Sequence, residues 1–282
     1  MKRYYKFIIP LFSILFLISI ATAYLVTDGG FAAVTEGANL LVGNDTHFNT
    51  GLGNWPTGNT WASQTNPAAN MALAASAAGE NCHVAGVLSV GRAHKLTYTA
   101  SGIVGTPAFR NWNGSTMVLI ATIVDGTNSL YFNVVAGSFT SLYIIAGTDA
   151  DKVTLDNIII LPVTLTSWTA GAGWGPQAVA GALTGKAVKV AGTASDLEQD
   201  ISAKATWRYY LSYTATRTAG TVTPQIGGVD GTAISASGTY SDEIRATGTG
   251  NLKFQADAAF AGTIDAVTIA KYKKPNRKIL EP

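Results

Sequence analysis

Residues 109–114, with the sequence FRNWNG, place an arginine, two asparagines and a tryptophan together in a polar, turn-forming stretch. The plane of a tryptophan ring is suited to lie against the C–H face of a sugar ring. Guanidinium and amide groups supply the paired hydrogen bonds that sugar hydroxyls need. Trp112 is therefore the leading candidate for a ligand platform, with Arg110, Asn111 and Asn113 as its polar partners.

Two further tryptophans are candidates for the same chemistry, and each has a structural alternative. Trp61 is assigned either to ligand binding or to packing in the core. Trp207 has the same parity as Tyr209, so the two side chains could form an exposed stripe on one face of a strand. Packing at a sheet edge would explain the same pattern.

Two similar segments, KVTLDNIII at 152–160 and GTIDAVTIA at 262–270, each carry one aspartate at a constant offset of 109 residues. Asp265 shares parity with the valine and isoleucine that follow it, which predicts that Asp265, and by analogy Asp156, points into the protein. A buried carboxylate needs N–H groups, hydroxyls or a metal as partners. Calcium is the candidate cofactor, with Asp45 as a further ligand near Asp156. The alternative is an aspartate that fixes the strand end by hydrogen bonds.

The residues needed for catalysis are sparse. The chain has three histidines, none in a recognised arrangement with a nucleophile. Hydrolysis of a glycosidic bond needs two carboxylates across a cleft, whereas the acidic residues at 195–200 and 241–244 fit exposed strand or turn positions. No phosphate-binding loop pattern with its lysine and hydroxyl residue is present. The sequence therefore predicts a non-catalytic protein.

Short alternating segments must position these candidates. In KLTYTAS (95–101), Leu96, Tyr98 and Ala100 fall on one face and two threonines on the other, which is the period of a half-buried strand. The same alternation recurs in TMVLIATIV (116–124) and in later segments, separated by turn residues. This pattern predicts an all-β fold made of antiparallel sandwiches.

The strand pattern occurs twice along the chain. The Leu-x-Tyr-x-Ala strand at 96–100 returns at 211–215, in addition to the repeated aspartate strand. Repetition of a whole unit indicates two tandem jelly-roll β-sandwiches rather than a short solenoid repeat. We assign the first domain to residues 38–164 and the second to residues 165–271. Residues 24–37 are either a linker or an added edge strand.

The N-terminal residues have the order of an export signal. Lys2, Arg3 and Lys6 precede an apolar run that ends in Ala21, Thr22 and Ala23. This order predicts a signal peptide cleaved after Ala23, and hence a secreted or surface protein. An uncleaved anchor is the alternative, because the run is only slightly shorter than the roughly 20 residues that span a bilayer. The sequence suggests membrane contact only through this segment.

The charge pattern bears on possible partners. Residues 24–270 contain 16 acidic and 11 basic residues, a formal net charge of −5, so attraction of nucleic acid is not expected. Basic residues instead mark the C-terminal tail, 272–282, which is either solvated or a partner-binding segment. Cys82, the single cysteine, is either packed as a small hydrophobe or available to link two copies.

The first repeat, from NLLVGND (39–45) through KLTYTAS to KVTLDNIII, resembles the jelly-roll carbohydrate-binding modules found beside bacterial polysaccharide hydrolases. The second repeat, best seen in residues 227–271, resembles the same fold in phage tail and virion-appendage proteins. The resemblance implies a polysaccharide or a cell-surface glycan as the binding partner.

Two functions are compatible with these observations. The first is a non-catalytic exported or surface protein that binds carbohydrate through its jelly-roll modules. The second is a self-assembling structural subunit of a virion appendage, filament or surface layer. Self-association would be favoured if a long apolar edge strand such as 116–124 were left uncovered, because an open edge is a template for pairing with another chain.

Overall fold

The computed structural model describes residues 26, 28–41, 44–48, 55, 61, 63–65, 70–134 and 140–272, apart from the side chains at positions 44, 45, 63 and 64. The predicted signal peptide or anchor (1–23) lies outside the described residues, as do residues 273–282 of the tail. Within the described part of the chain, no helix is long and apolar enough to cross a membrane.

The first domain is an antiparallel β-sandwich. Its elements are β1 (Val34–Glu36), α1 (Asn44–His47), β2 (Ser63–Thr65), β3 (Met71–Ala74), β4 (Asn81–Val84), β5 (Ala93–Val104), β6 (Ala108–Trp112), β7 (Met117–Thr122), β8 (Gly126–Asn133), β9 (Leu142–Ile145) and β10 (Lys152–Leu165). One sheet has the order β2-β3-β10-β5-β8, with β1 paired to the end of β10. The facing sheet has the order β4-β9-β6-β7.

The second domain repeats this architecture. Its strands are β11 (Thr169–Ala170), β12 (Trp174–Val179), β13 (Ala182–Lys189), β14 (Ser195–Ala203), β15 (Arg208–Ala219), β16 (Val222–Ile226), β17 (Val229–Asp230), β18 (Gly238–Arg245), β19 (Gly250–Ala256) and β20 (Ala261–Tyr272). The sheets β12-β13-β20-β15-β18 and β11-β14-β19-β16-β17 place corresponding strands in corresponding positions. The prediction of an all-β fold with two tandem antiparallel jelly-roll sandwiches is confirmed.

Each sandwich has its own apolar core, built by the alternation that the sequence shows. Leu96, Tyr98 and Ala100 of β5 are buried, as are Leu211, Tyr213 and Ala215 of β15. Burying a large apolar side chain contributes about 1.5–3 kcal/mol. The largest fully buried aromatic side chains are Trp55, Trp61, Tyr98, Phe48 and Phe109 in the first core and Phe31, Trp174, Tyr209, Tyr213, Phe254 and Phe260 in the second.

The segment before the first domain contacts both sandwiches. Strand β1 pairs with the last residues of β10, in register Val34↔Leu165. Phe31 is buried in the core of the second domain, where its ring lies 4.9 Å from that of Trp168. The N–H of Val267 donates to the carbonyl of Gly29 at 2.9 Å. Residues 28–36 therefore tie the two domains together.

The hairpin of β12 and β13 covers part of the edge of β8. The N–H of Tyr131 donates to the carbonyl of Gly181 at 2.8 Å, and the side-chain amide of Asn133 exchanges hydrogen bonds with Pro176 and Ala178. Glycine is required at one close approach of the two domains. A Cβ on Gly91 would lie 2.6 Å from the Cα of Gly173, and both residues have positive φ.

Candidate functional site

Strand β6 divides the predicted cluster between its two faces. Phe109 and Asn111 point into the sandwich and are buried, whereas Arg110 and Trp112 lie on the outward face and are half-buried. Alternation of side chains along a strand explains the division. Two of the predicted ligand residues, Arg110 and Trp112, therefore share a surface.

The other two members of the cluster have different environments. Asn111 is 2% exposed, and its Nδ2 has no hydrogen-bond partner among the described residues. The side-chain oxygen of Asn113 accepts hydrogen bonds from the N–H groups of Ser115 and Thr116, at 2.9 and 2.7 Å. Asn113 thus fixes the turn between β6 and β7. Asn111 therefore faces the core, and the role of both asparagines as ligand residues stays a prediction.

Three strands bring a histidine, a tyrosine and an arginine into one line across the outward face of the four-stranded sheet. Tyr143 of β9 is the register partner of both His83 of β4 and Arg110 of β6. The His83 and Tyr143 rings are stacked, with centroids 4.8 Å apart and planes inclined by 28°. Trp112 is two residues beyond Arg110 on the same face. We call His83, Tyr143, Arg110 and Trp112 the sheet-face site.

Sequence reasoning missed His83 and Tyr143 as site residues. Cys82 and Val84 belong to the first core, as do Leu142 and Ile144, so parity alone puts His83 and Tyr143 on the outward face. That signal was present in the sequence. Their adjacency to Arg110 was not, because it depends on strand order β4-β9-β6 in the folded sheet.

The guanidinium of Arg110 makes few hydrogen bonds with the described residues. Its Nη1 donates to the carbonyl of Met117 at 3.3 Å, and no carboxylate of the described residues forms an ion pair with it. A guanidinium carries five N–H donors in a planar fork. Several donors at the sheet-face site are therefore available to a ligand.

The corresponding line of the second domain has a different chemistry. Register pairs place Glu198, Lys253 and Gln225 where the first domain has His83, Tyr143 and Arg110, and Asp230 follows on β17. The ammonium of Lys253 contacts Glu198 at 3.3 Å, and the Gln225 amide donates to Asp230 at 2.7 Å.

These pairs satisfy the polar groups of the second face internally. The hydrogen bonds that Lys253 donates to Asp196 and Glu198 raise the pKa of Lys253, and a hydrogen bond donated by Asn251 lowers the pKa of Glu198. Both shifts favour the charged forms that pair with each other. The two domains therefore share a fold but not the groups that their four-strand faces offer to a ligand.

The two other predicted tryptophans lie elsewhere. Trp61 is 2% exposed, and its indole N–H donates to the carbonyl of Ile144 at 3.2 Å, so its assignment to the ligand site is wrong and the core alternative holds. Trp207 is half-buried against the second core, with the ammonium groups of Lys204 and Lys271 about its ring at 6.0 and 5.8 Å. An exposed stripe with Tyr209 is not formed, because Tyr209 is buried.

The prediction that Asp156 and Asp265 point inward is wrong. Asn157 and Ala266 have positive φ, and each lies where the register of the last strand shifts. A bulge inserts one residue and changes the parity of the residues before it. Asp156 accepts two hydrogen bonds from Asn157, at 2.7 and 2.9 Å.

The second aspartate has a similar environment. Asp265 accepts from the N–H of Ala266 at 2.7 Å, and its other oxygen lies 4.0 Å from the ammonium of Lys186. Both aspartates therefore stabilise a bulge. Among the described residues no three His, Cys, Asp or Glu side chains form a metal-sized group, and the side chain of Asp45 lies outside those residues. Calcium binding stays a prediction.

A different carboxylate in each domain accepts hydrogen bonds from a nearby loop. In the first, buried Asp151 accepts hydrogen bonds from the N–H groups of Thr106 and Gly147 and from the hydroxyl of Thr148. Burial raises the pKa of Asp151, but these hydrogen bonds outweigh it and hold the pKa below its ordinary value.

In the second domain, Asp257 accepts from the N–H and hydroxyl of Thr221, the counterpart of Thr106. The hydrogen bond from the Thr221 hydroxyl lowers the pKa of Asp257. Asp151 and Asp257 lie at different positions of the repeat, so alignment of the two repeats does not pair them. Each nevertheless accepts a hydrogen bond from the corresponding threonine, Thr106 or Thr221, and so fixes the corresponding loop of its own domain.

A groove of about 480 Å³ opens between the edges of β7 and β8, beside the sheet-face site. The side chains of Tyr98, Asn111 and Leu130 line it, and residues 178–181 of the second domain close one end. Leu119 of β7, which continues the line from Arg110, is 52% exposed at its rim.

No family model matches the chain, and no curated protein matches it. Among solved structures, the tandem CBM22-1–CBM22-2 domain of Xyn10C from Paenibacillus barcinonensis is 12% identical, with a TM-score of 0.34, covering 86% of this chain and 99% of that one. Tandem CBM51 modules of a family 98 glycoside hydrolase from Streptococcus pneumoniae are 10% identical, with a TM-score of 0.26, covering 84% and 93%.

A fucolectin from the serum of striped bass, Morone saxatilis, is 8% identical, with a TM-score of 0.28, covering 89% of this chain and 99% of that one. These three structures are tandem carbohydrate-binding modules and a lectin. These functions belong to the neighbours, and the ligand of this chain has to be inferred from its own side chains.

Proposed function

We propose that this chain is a non-catalytic, exported or surface-located protein that binds a polysaccharide or cell-surface glycan through the sheet-face site of its first domain. The observation that carries the proposal is the line formed by the stacked His83 and Tyr143 rings and Arg110, with Trp112 on the same face. A flat sheet surface with aromatic groups and open hydrogen-bond donors suits an extended ligand.

The chemistry of the site supports a sugar over most other small ligands. Aromatic rings accept the C–H face of a pyranose, and the remaining N–H groups of Arg110 can donate to neighbouring hydroxyls. The four residues of the site include no carboxylate, whereas glycoside hydrolysis needs two. Binding without cleavage is therefore the activity that the site favours.

Glycan-array binding of residues 24–282, followed by titration of the best ligand, tests the proposal. We expect Tyr143→Ala and Trp112→Ala each to weaken binding tenfold or more, on the order of what a central aromatic contact contributes. Tyr210→Ala is the control, because it removes an exposed aromatic side chain from the second domain. Circular dichroism establishes that each variant is folded.

Two outcomes would overturn the proposal. The first is a folded protein that binds no glycan on the array. The second is a glycan ligand whose affinity is the same for wild type, Tyr143→Ala and Trp112→Ala, since binding would then take place elsewhere on the molecule.

A second candidate function, a self-assembling structural subunit, is favoured by the edge of β7. Within the described residues β7 pairs only with β6, so its other edge is open, and Leu119 is 52% exposed along it. An open apolar edge can pair with a second copy. Cys82 is buried in the first core, so it does not support a disulfide between copies.

A further inference from the structure

Resting on the proposed function, we infer that the glycan bound at the sheet-face site is anionic, carrying a carboxylate or sulfate group that Arg110 recognises. Arg110 lies beside Tyr143 in the register of the sheet and has only the Met117 carbonyl as a hydrogen-bond partner among the described residues. A planar guanidinium fork matches the two oxygens of a carboxylate or sulfate.

Several other cations on the strands are paired with carboxylates, whereas exposed Lys152 and Arg245 are not and buried Lys189 donates to two backbone carbonyls. Lys95 pairs with Glu36 at 2.9 Å, and Lys253 pairs with two acidic side chains at 3.1 and 3.3 Å. Arg208 is paired with Glu243. Arg110 has no such partner among the described residues, although it is half-buried beside two aromatic side chains. A half-buried cation left without a counter-ion is suited to receive one from a ligand.

The second domain supplies an internal comparison. Gln225 occupies the register position of Arg110, and the cation in the same line, Lys253, is neutralised by Asp196 and Glu198. The position of Arg110 is therefore held by a neutral residue in the second domain, where the polar side chains of the face pair with one another. It is cationic in the domain whose face carries the stacked rings.

The overall charge makes this recognition local. Residues 24–270 have a formal net charge of −5, which opposes non-specific attraction of polyanions. A polyanionic glycan that binds this part of the chain must therefore gain its affinity from a particular site. In the sheet-face site that role falls to Arg110.

The experiment compares matched neutral and charged polymers by affinity electrophoresis and calorimetry on residues 24–282. Polygalacturonate is compared with its full methyl ester, and dextran sulfate with dextran. We expect at least one charged polymer to bind tenfold or more tightly than its neutral form. A preference for polygalacturonate over its methyl ester, without a preference for dextran sulfate over dextran, assigns a carboxylate as the recognised group. The reverse result assigns a sulfate.

Arg110→Gln places the residue of the second domain at the site, and Lys152→Gln is the control with the same loss of charge on the opposite sheet. We expect Arg110→Gln to reduce polyanion affinity tenfold or more and Lys152→Gln to leave it unchanged. Equal losses in the two variants, or no loss in either, would overturn the inference.

The two proposals fail in different ways. Equal binding of charged and neutral polymers, with a loss in Trp112→Ala, overturns the anionic specificity and leaves carbohydrate binding at this face standing. Absence of binding to every polymer and every arrayed glycan overturns both.

Discussion

The ring of Phe31 lies 4.9 Å from the ring of Trp168, inside the core of the second domain, although Phe31 precedes the whole of the first. The N-terminal segment therefore contributes to the core of the second domain, although the first domain lies between them in the sequence. The indole N–H of Trp168 also donates to the carbonyl of Asp28 at 3.3 Å. This segment couples the stability of the second domain to residues outside its own boundaries.

Replacing Phe31 by alanine should destabilise the protein by about 3–5 kcal/mol, the usual cost of deleting a buried phenylalanine side chain. Urea denaturation followed by tryptophan fluorescence measures the change. Thr35→Val, an exposed substitution in the same segment, should change the free energy of unfolding by less than about 0.5 kcal/mol. Equal stability of Phe31→Ala and wild type would show that the segment does not support the second core.

His94 should make the first domain sensitive to mild acid. The side chain is fully buried and its Nδ1 has no hydrogen-bond partner among the described residues, and burial lowers the pKa of His94 to about 4. The unfolded state binds a proton near pH 6.5, whereas the folded state does not. Stability therefore falls as the pH decreases from about 6.5 to 4, by about 3 kcal/mol at most.

Denaturation curves collected across that pH range test the assignment. His94→Gln should have a much flatter pH dependence than wild type, because the titrating group is gone. His47→Gln, which changes an exposed histidine, should keep the wild-type slope. A slope that survives in His94→Gln would assign the acid sensitivity to other groups.

Asp151 should contribute to stability as an anion. Asp151→Asn replaces an acceptor of three hydrogen bonds and should cost about 2–3 kcal/mol near neutral pH. Since the folded pKa is lowered, this contribution is lost below the ordinary pKa of 3.8, and wild type and variant should converge there. Parallel acid denaturation curves for the two proteins would contradict the prediction. Asp257→Asn is the matched variant in the second domain.

The calcium prediction is tested by chelation. Asp156 is already paired with Asn157, so we expect EDTA to leave the thermal midpoint unchanged and Asp156→Asn to cost less than about 1 kcal/mol. A calcium-dependent rise of the midpoint that disappears in Asp156→Asn would instead establish a metal site. Thermal scans with calcium chloride and with EDTA distinguish the two results.

The open edge of β7 provides a test of the alternative function, a self-assembling structural subunit. If the chain assembles through this edge, Leu119→Lys should abolish the assembly, since a charge at an edge opposes pairing. Light scattering after size exclusion measures the mass over a range of concentrations. Arg245→Gln, a surface change on β18, serves as the control. Assemblies that persist in Leu119→Lys would place the contact elsewhere.

Much of the fold was predictable because it depends on local alternation. The pattern of Leu96, Tyr98 and Ala100, and its return at 211–215, was enough to predict strands with one buried face and a duplicated sandwich. Trp112 and Arg110 could also be selected from residue type alone. Side-chain parity within a strand is a local property, so these predictions needed no knowledge of which strands are neighbours.

Other features were decided only by the tertiary structure. A single positive-φ residue at Asn157 or Ala266 reversed the side on which the preceding aspartate lies, and the sequence carries no glycine there to signal the bulge. The approach of His83, Tyr143 and Arg110 depends on strands brought together across long stretches of chain. Cross-strand neighbours follow from sheet order, which is non-local, and for that reason the site could be assembled only from the folded chain.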